Sequence, residues 1–591
     1  MRHVRRFALA VVALALIFAG AARAQVLQLV PSEALVVIKI KNLQDVSQKV
    51  AMLSQQWGLA NIRPELNDPL GTLLTAGNLG PGLNKSGEAA VAIMKSAVPG
   101  QNEPDVLVLV PVSDYKAFAT ALPNGKPEGD LTTFSPGGQP MYASDWGKFA
   151  AVSQKKELLA KKGNGIAVTG VAAKELDAKD LIAYANLKVI RNDVLPLIQQ
   201  NREKFLNDIN KAMANAPGAN PKYAPVLKTY MGQFVNAIEE FLKDADAATF
   251  GINLTKDGIS TTLMAEFDPA SYFGKGFGQM KNSDASFTRG LPDGKYFVYG
   301  GFVVEKSGIQ MFNDFVEPIE KELQGMGADG KPILDYITAA KDYMGAAKQA
   351  NFGMVAPPAA AFGQQGVIQL VGVIQGDSAK ITEAIRRVYG AQGEVMKLTG
   401  FGGMGATEVK AAAKTVDGVQ LDQFTTSFKG NPQTPQEQQV AFLMQMLYGP
   451  QGMVAYAGAL APDKTISVVG VSDALLASAI QAAKADNDPV GKGVAAKVAA
   501  ALPQNRLAAF YVPIDTIAST ILDVMAARGM PGGVKLPPNL PPIGGAISTD
   551  GTAVRADGYI PAQTVQALIA AGMQMWLQQQ GGAGPGQPGG L

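Results

Sequence analysis

The chain has no cysteine, and its only histidine, His3, lies in the N-terminal leader. Once the leader is removed, neither imidazole nor thiolate remains. That excludes a Ser-His-Asp triad, a Cys-His pair, a His proton shuttle and any zinc site built on nitrogen or sulfur. Disulfides are absent too, so each folding unit rests on its core alone. What is left to an enzyme is a carboxylate pair, a Ser-Lys or Tyr-Lys pair, or an oxygen-ligated Ca²⁺ or Mg²⁺. Charge is also sparse, at 17% of residues with both signs interspersed. Nucleic acid, which requires clustered Lys and Arg against phosphate, is not an expected partner.

The leader is the most specific signal present. Arg2, Arg5 and Arg6 precede an apolar run from Phe7 to Ala19, and Ala22-Arg23-Ala24 supplies small residues for cleavage. The pattern predicts a secretory signal peptide over 1–24, cut between Ala24 and Gln25. The run is too short to span a membrane comfortably, and no cysteine follows it for a lipid anchor. The expected product is therefore exported, to the periplasm or beyond the cell, with no integral span after cleavage. Removing the four leader arginines takes the formal charge from +2 to −2.

At 591 residues and 47% apolar content the chain is long enough for several cores. Gly251 to Phe267, GINLTKDGISTTLMAEF, reads as two strands joined at Asp257-Gly258, where glycine suits the positive φ of a type I′ turn. Gly544 to Ile560 echoes it, and Lys414 to Phe428 echoes it more weakly. Other echoes follow in the same order: Val30-Pro31, Leu291-Pro292 and Leu502-Pro503 each precede an apolar strand, and VAAK recurs at 171–174 and 494–497. Amphipathic helices alternate with these strands. Their stripes include Val226, Tyr230, Phe234, Ile238 and Phe241; Ile309, Phe312, Val316, Ile319 and Leu323; and Ile514, Ile517, Ile521 and Val524, all read as faces packed on a sheet. The expectation is an α+β protein with antiparallel sheets backed by amphipathic helices. It is internally duplicated as two tandem halves, 25–280 and 286–578, each of two strand-helix-hairpin modules. Residues 529–542, with PPNLPP, read as an irregular crossing, and 579–591 as a flexible Gly/Pro/Gln tail.

No motif carries chemistry strongly. Gly400 to Gly405 matches GxGxxG in letters, but the residues before it read as the end of a helix, not the strand a dinucleotide site requires. Ser153-Gln-Lys-Lys156 has Ser-Lys spacing, yet the serine is explained as a helix N-cap. Asp244/Asp246 and Asp486/Asp488 lack the rest of a cation loop. Asn84-Lys-Ser86 and Asn253-Leu-Thr255 are glycosylation sequons in form only. No catalytic, metal or cofactor residue is assigned.

The Leu/Val-Pro, spacer, apolar strand, helix pattern, the Thr255-Lys-Asp-Gly258 hairpin and the leader together resemble large exported bacterial protein families of unknown function. The resemblance implies export and a repeated α+β scaffold, and brings no functional residue with it. The leading expectation is a soluble, non-enzymatic envelope protein that binds or scaffolds an envelope partner. One alternative is a carrier of an apolar, lipid-like ligand in a groove between sheet and helices, lined by residues such as Ile309, Phe312 and Val316. A second is an enzyme using carboxylates or a Ser-Lys pair.

Overall fold

The computed structural model describes residues 26–581 apart from 78, 97–102, 163–164, 215–220, 399–403, 429–434, 528 and 530–532. The leader with Ala24 and Gln25, residues 582–591, and Gly400 to Gly403 of the glycine motif lie outside the described residues. Numbered along the chain, the strands are β1 Val36–Ile40, β2 Ala89–Met94, β3 Asp105–Pro111, β4 Lys126–Glu128, β5 Leu131–Phe134, β6 Met141–Asp145, β7 Phe149–Ser153, β8 Leu181–Asn186, β9 Ala245–Thr255 and β10 Gly258–Phe267. They continue with β11 Tyr296–Val303, β12 Ala347–Val355, β13 Gln369–Gly376, β14 Met404–Val416, β15 Val419–Phe428, β16 Met453–Ala461, β17 Lys464–Val469, β18 Ala508–Val512, β19 Ile543–Asp550 and β20 Ala553–Pro561. The pairings within each unit are antiparallel, and with the intervening helices they make an α+β fold.

Two compact units form. The first contains residues up to Pro196, Leu242–Gly274 and Asp550–Ile569; the second contains Leu197–Phe241, Lys275–Thr549 and Ala570 onward. In the first unit the strands run β4-β5-β6-β7-β3-β2-β1-β8-β9-β10-β20 across the sheet. In the second they run β14-β15-β16-β17-β13-β12-β11-β18-β19. The first unit thus takes its last strand from a segment nearly 300 residues downstream of β10, since Thr262 and Asp557 bond across a separation of 295.

Coverage explains the strand sequences. Over β1, β2, β3 and β7 both faces of the first sheet are packed. Val37, Leu107 and Ile182 meet Leu176 and Val171 of the helix Gly170–Ala178 on one side. Val91, Val108 and Val152 meet Leu43, Leu70 and Phe118 from helices Leu43–Gln56, Pro69–Gly77 and Tyr115–Ala121 on the other. A strand buried twice has no polar face, which is why β2 and β3 read as unbroken apolar runs. Asn42 and Asp114 start two of these helices by accepting from the backbone N–H groups of Asp45 and Ala117, at 2.6 and 3.0 Å.

The hairpin turns redistribute the expected roles of glycine. Asp417 and Gly418, with φ of 47° and 75°, form the tight turn of the weakest echo, since Val416 pairs with Val419. In β9–β10 the two-residue loop is Lys256-Asp257 instead, and Gly258 is already in the strand, paired with Thr255. The sequence expectation of a turn at Asp257-Gly258 is corrected here. Gly258 is required because a Cβ would strike the Ile560 carbonyl and the Tyr559 ring, so glycine lets β20 approach β10.

At one end of each sheet the last strand, β4 or β14, is a poor template for further pairing. β4 is three exposed residues with Pro127 at its centre. β14 loses register between Lys410 and Lys414, where Ala412 has a φ of 51°.

Candidate functional site

The residues singled out for chemistry in the sequence are separately engaged. Ser153, the last residue of β7, donates to the Val106 carbonyl at 2.7 Å and accepts from the Lys155 N–H at 3.1 Å. The helix begins only at Lys156, so Ser153 holds the turn before the helix and is not its N-cap. Lys156 points instead to Glu128, 3.0 Å away, and lies over the Tyr142 ring. Ser472, by contrast, is a helix N-cap: its hydroxyl accepts from the Leu475 N–H at 3.2 Å.

Asp244 accepts from the Phe273 N–H at 2.9 Å and Asp246 pairs with Lys188 at 2.9 Å. Asp486 pairs with Lys464, and Asp488 accepts from Thr288. Neither acidic pair converges on one point, and among the described residues no group of three or more acidic or soft side chains could hold a metal ion. Met404 and Gly405, the described end of the glycine motif, open a strand rather than a helix.

The most connected polar cluster lies in the first unit and was missed in the sequence. Glu266 of β10 caps the helix Gly170–Ala178, accepting from Val171 and Ala172 N–H at 3.1 and 3.0 Å. From that helix and the residue after it, Glu175 and Lys179 face each other at 3.3 Å. Arg555 of β20 bonds Glu175 at 2.5 Å and Asp557 at 3.3 Å. Thr262 closes the ring, accepting from Lys179 at 2.7 Å and donating to Asp557 at 2.6 Å. Alongside it, buried Lys39 meets Glu88 at 3.1 Å and the Leu176 carbonyl at 3.2 Å.

Every cation in the cluster faces an anion. Burial opposes the Arg555 charge, yet Asp557 and Glu175 outweigh it and its pKa is raised. Nearby Tyr184 is pushed up to about 12 by burial and by Glu266 and Asp246, so its hydroxyl stays protonated. Such a closed set of ion pairs acts as a brace. A signal did exist in the sequence: Lys39 interrupts the apolar strand VVIKI, and Glu88 stands directly before AAVAIM.

The second unit uses mainly neutral groups in its interior. Gln349 donates to the Ser286 carbonyl and to Asn351, at 3.0 and 2.8 Å, and Asn351 donates to the Arg289 carbonyl at 2.8 Å. Buried Arg506 lies over the Phe287 ring, 5.8 Å from its centroid.

Apolar surface is where the structure departs most from the sequence expectation. In the helix Ala224–Asp244 the stripe read as buried is largely open: Tyr230, Phe234 and Ile238 are 48%, 49% and 40% exposed. Val226 of that stripe is buried as expected, and the helix also buries Val235 and Glu239, with Arg202 2.9 Å from Glu239. In the helix Ile514–Ala527, Thr516 and Thr520 are buried while Ile521 is exposed. Of the residues proposed for an apolar groove, all on the helix Lys306–Gly325, Val316 is buried and Ile309 and Phe312 are half-buried. Clefts of about 510 and 630 Å³ are lined by other residues, among them Asp114 and Lys116 in one and Lys341 and Arg387 in the other.

A second open region lies on the sheet itself. Gly372, Phe352, Gly300, Phe510 and Gly545 form one row across β13, β12, β11, β18 and β19. Ile374, Ala350, Phe302, Ala508 and Ile547 form the next row on the same face. Helix Ser378–Leu398 covers the β13 end through Ile381 and Ile385. Beyond it Phe352, Phe302, Phe510 and Ile547 are 38%, 41%, 41% and 39% exposed. The first unit has a smaller version, where exposed Phe250 and Leu263 stand opposite each other on β9 and β10.

No family model matches the chain, and no curated protein matches it. Among solved structures, crystal forms III and I of TP0453 align at 10% and 9% identity, with TM-scores of 0.21 and 0.20. The alignments cover 49% and 48% of this chain and 99% and 96% of theirs. At that similarity they carry no functional argument.

Proposed function

We propose that the chain is an exported, non-enzymatic binding protein that holds an envelope partner through apolar side chains. The observation that carries this is the stripe Tyr230, Phe234 and Ile238, three large side chains at successive helical turns that stay 40% to 49% exposed, with the Tyr230 ring meeting Phe315 edge-on. The polar side chains with any catalytic pretext are, by contrast, spent on one another or on the backbone. Export rests on the leader. Tandem duplication belongs to the same reading, supported by the two sheet orders, which agree neighbour for neighbour from β4/β14 to β9/β19.

A photoreactive phenylalanine analogue at Phe234, introduced in the native cell envelope, tests the binding role. The expected result is a discrete cross-linked species, lost when the analogue is moved to exposed Asn236. Only uncross-linked chain at Phe234, recovered from an intact envelope, would overturn the reading. N-terminal sequencing of the exported chain should begin at Gln25.

A further inference from the structure

We infer that the bare face of β11, β12, β18 and β19 seats one medium-chain fatty acid, its hydrocarbon tail lying along the two rows centred on Phe302 and Phe510. This deepens the binding reading above and rests on it, but concerns a different surface from the Phe234 stripe.

The chemistry of the face selects the occupant. Neither row contains a charged residue, and the neighbouring strands are hydrogen-bonded into the ladder. Nothing on the rows can recognise a polar group. A peptide laid there would lose water from its amides without gaining partners, and so would any ligand with polar atoms along its length. A hydrocarbon has no such loss. Strand addition at β4 or β14 is disfavoured, because those strands are short or bulged.

The relief of the face fits a thin chain. Glycine separates the aromatic side chains along the row, and the Phe510 ring lies over Gly545 so closely that a Cβ there would overlap it. Gly300 therefore leaves low ground between the Phe352 and Phe510 side chains, while Gly545 lets the Phe510 ring lie flat on the sheet. Area then decides between a small ligand and a second copy of the chain. A phenylalanine side chain presents roughly 200 Å², so four large residues about 40% exposed offer roughly 300 Å². A stable protein interface needs about 800 Å² on each partner. At roughly 30 Å² per methylene, the same patch matches a chain of about ten carbons.

The test titrates the full chain with dansyl-undecanoate below its micellar concentration. The expected signal is saturable, blue-shifted and displaced by decanoate but not by butanoate. Ala508→Asp places a carboxylate between Phe302 and Ile547 and should weaken binding at least tenfold. Leu263→Asp in the first unit should leave it within twofold.

Absence of a saturable signal, equal displacement by butanoate, or unchanged affinity in Ala508→Asp would overturn the inference. So would displacement by a lysophospholipid alone, or a concentration-dependent dimer abolished by Ala508→Asp. If Ala508→Asp does not fold, the decanoate-against-butanoate comparison on the unaltered chain decides. A Phe234 cross-link without acyl binding would sink this inference and leave the binding reading standing; loss of both would sink both.

Discussion

The two units place different chemistry on β1 and β11, the strands that hold the same place in the two sheet orders. In the first, Lys39 on β1 pairs across to Ala90 and Ile182 and is neutralised by Glu88. In the second, Gly301 on β11 pairs with Asn351 and Ala509, and a Cβ on it would come within 2.5 Å of the Asn351 amide oxygen. One strand carries a charge that must be balanced, and the other a glycine that leaves room for an amide. The two solutions show that one strand order tolerates quite different interiors.

The comparison breaks most visibly if one ion is stranded. Glu88→Ala leaves Lys39 buried with only the Leu176 carbonyl and half-exposed Asp177, and should cost about 3 kcal/mol. Hydrogen exchange resolved along the chain should show the loss in β1 and β2 while β11 and β12 keep their protection. The double variant Lys39→Met/Glu88→Leu should recover part of it, the rest being the Val26 N–H that Glu88 also accepts from.

Next in size is Gly258→Ala, which forces the new methyl against the Ile560 carbonyl and should cost about 2 kcal/mol, read as faster exchange in β10 and β20. Asn351→Ala strips a bond from the Arg289 carbonyl and from Gln349. About 1 to 2 kcal/mol is expected, confined to the second unit.

The smallest effect concerns the surface pair Glu33–Lys161 of the first unit. Lys161 bonds Glu33 and holds its carboxyl below the ordinary value of 4.5. A depressed carboxyl contributes stability above its unfolded pKa and loses it as pH falls through the folded value. Lys161→Ala should therefore remove a contribution present near pH 6 and progressively lost as pH falls below 4.5. Because both side chains are largely exposed, urea midpoints should register less than about 1 kcal/mol.

Much of the fold was legible in local pattern. Strand β1, the long helices Leu187–Ala214 and Ala224–Asp244, and the hairpin strands β9 and β10 follow directly from periodicity and turn residues. Periodicity finds an apolar face but does not say that anything covers it, and the Tyr230, Phe234, Ile238 stripe shows the difference. The polar ring of the first unit was illegible for another reason: Glu175 and Arg555 are 380 residues apart, and no local rule pairs them. Gly258 was noticed, but for a turn it does not make, because the strand that requires it arrives 300 residues later.

The ring of ion pairs also gives the molecule a thermal asymmetry. Dehydrating an ion costs less as temperature rises, so a braced set of charges is penalised less in a warm protein than in a cold one. The amide interior of the second unit has fewer charges to benefit. Heating should accordingly narrow any deficit of the first unit relative to the second, and cooling should widen it, so that the order in which the two melt depends on the temperature at which they are compared.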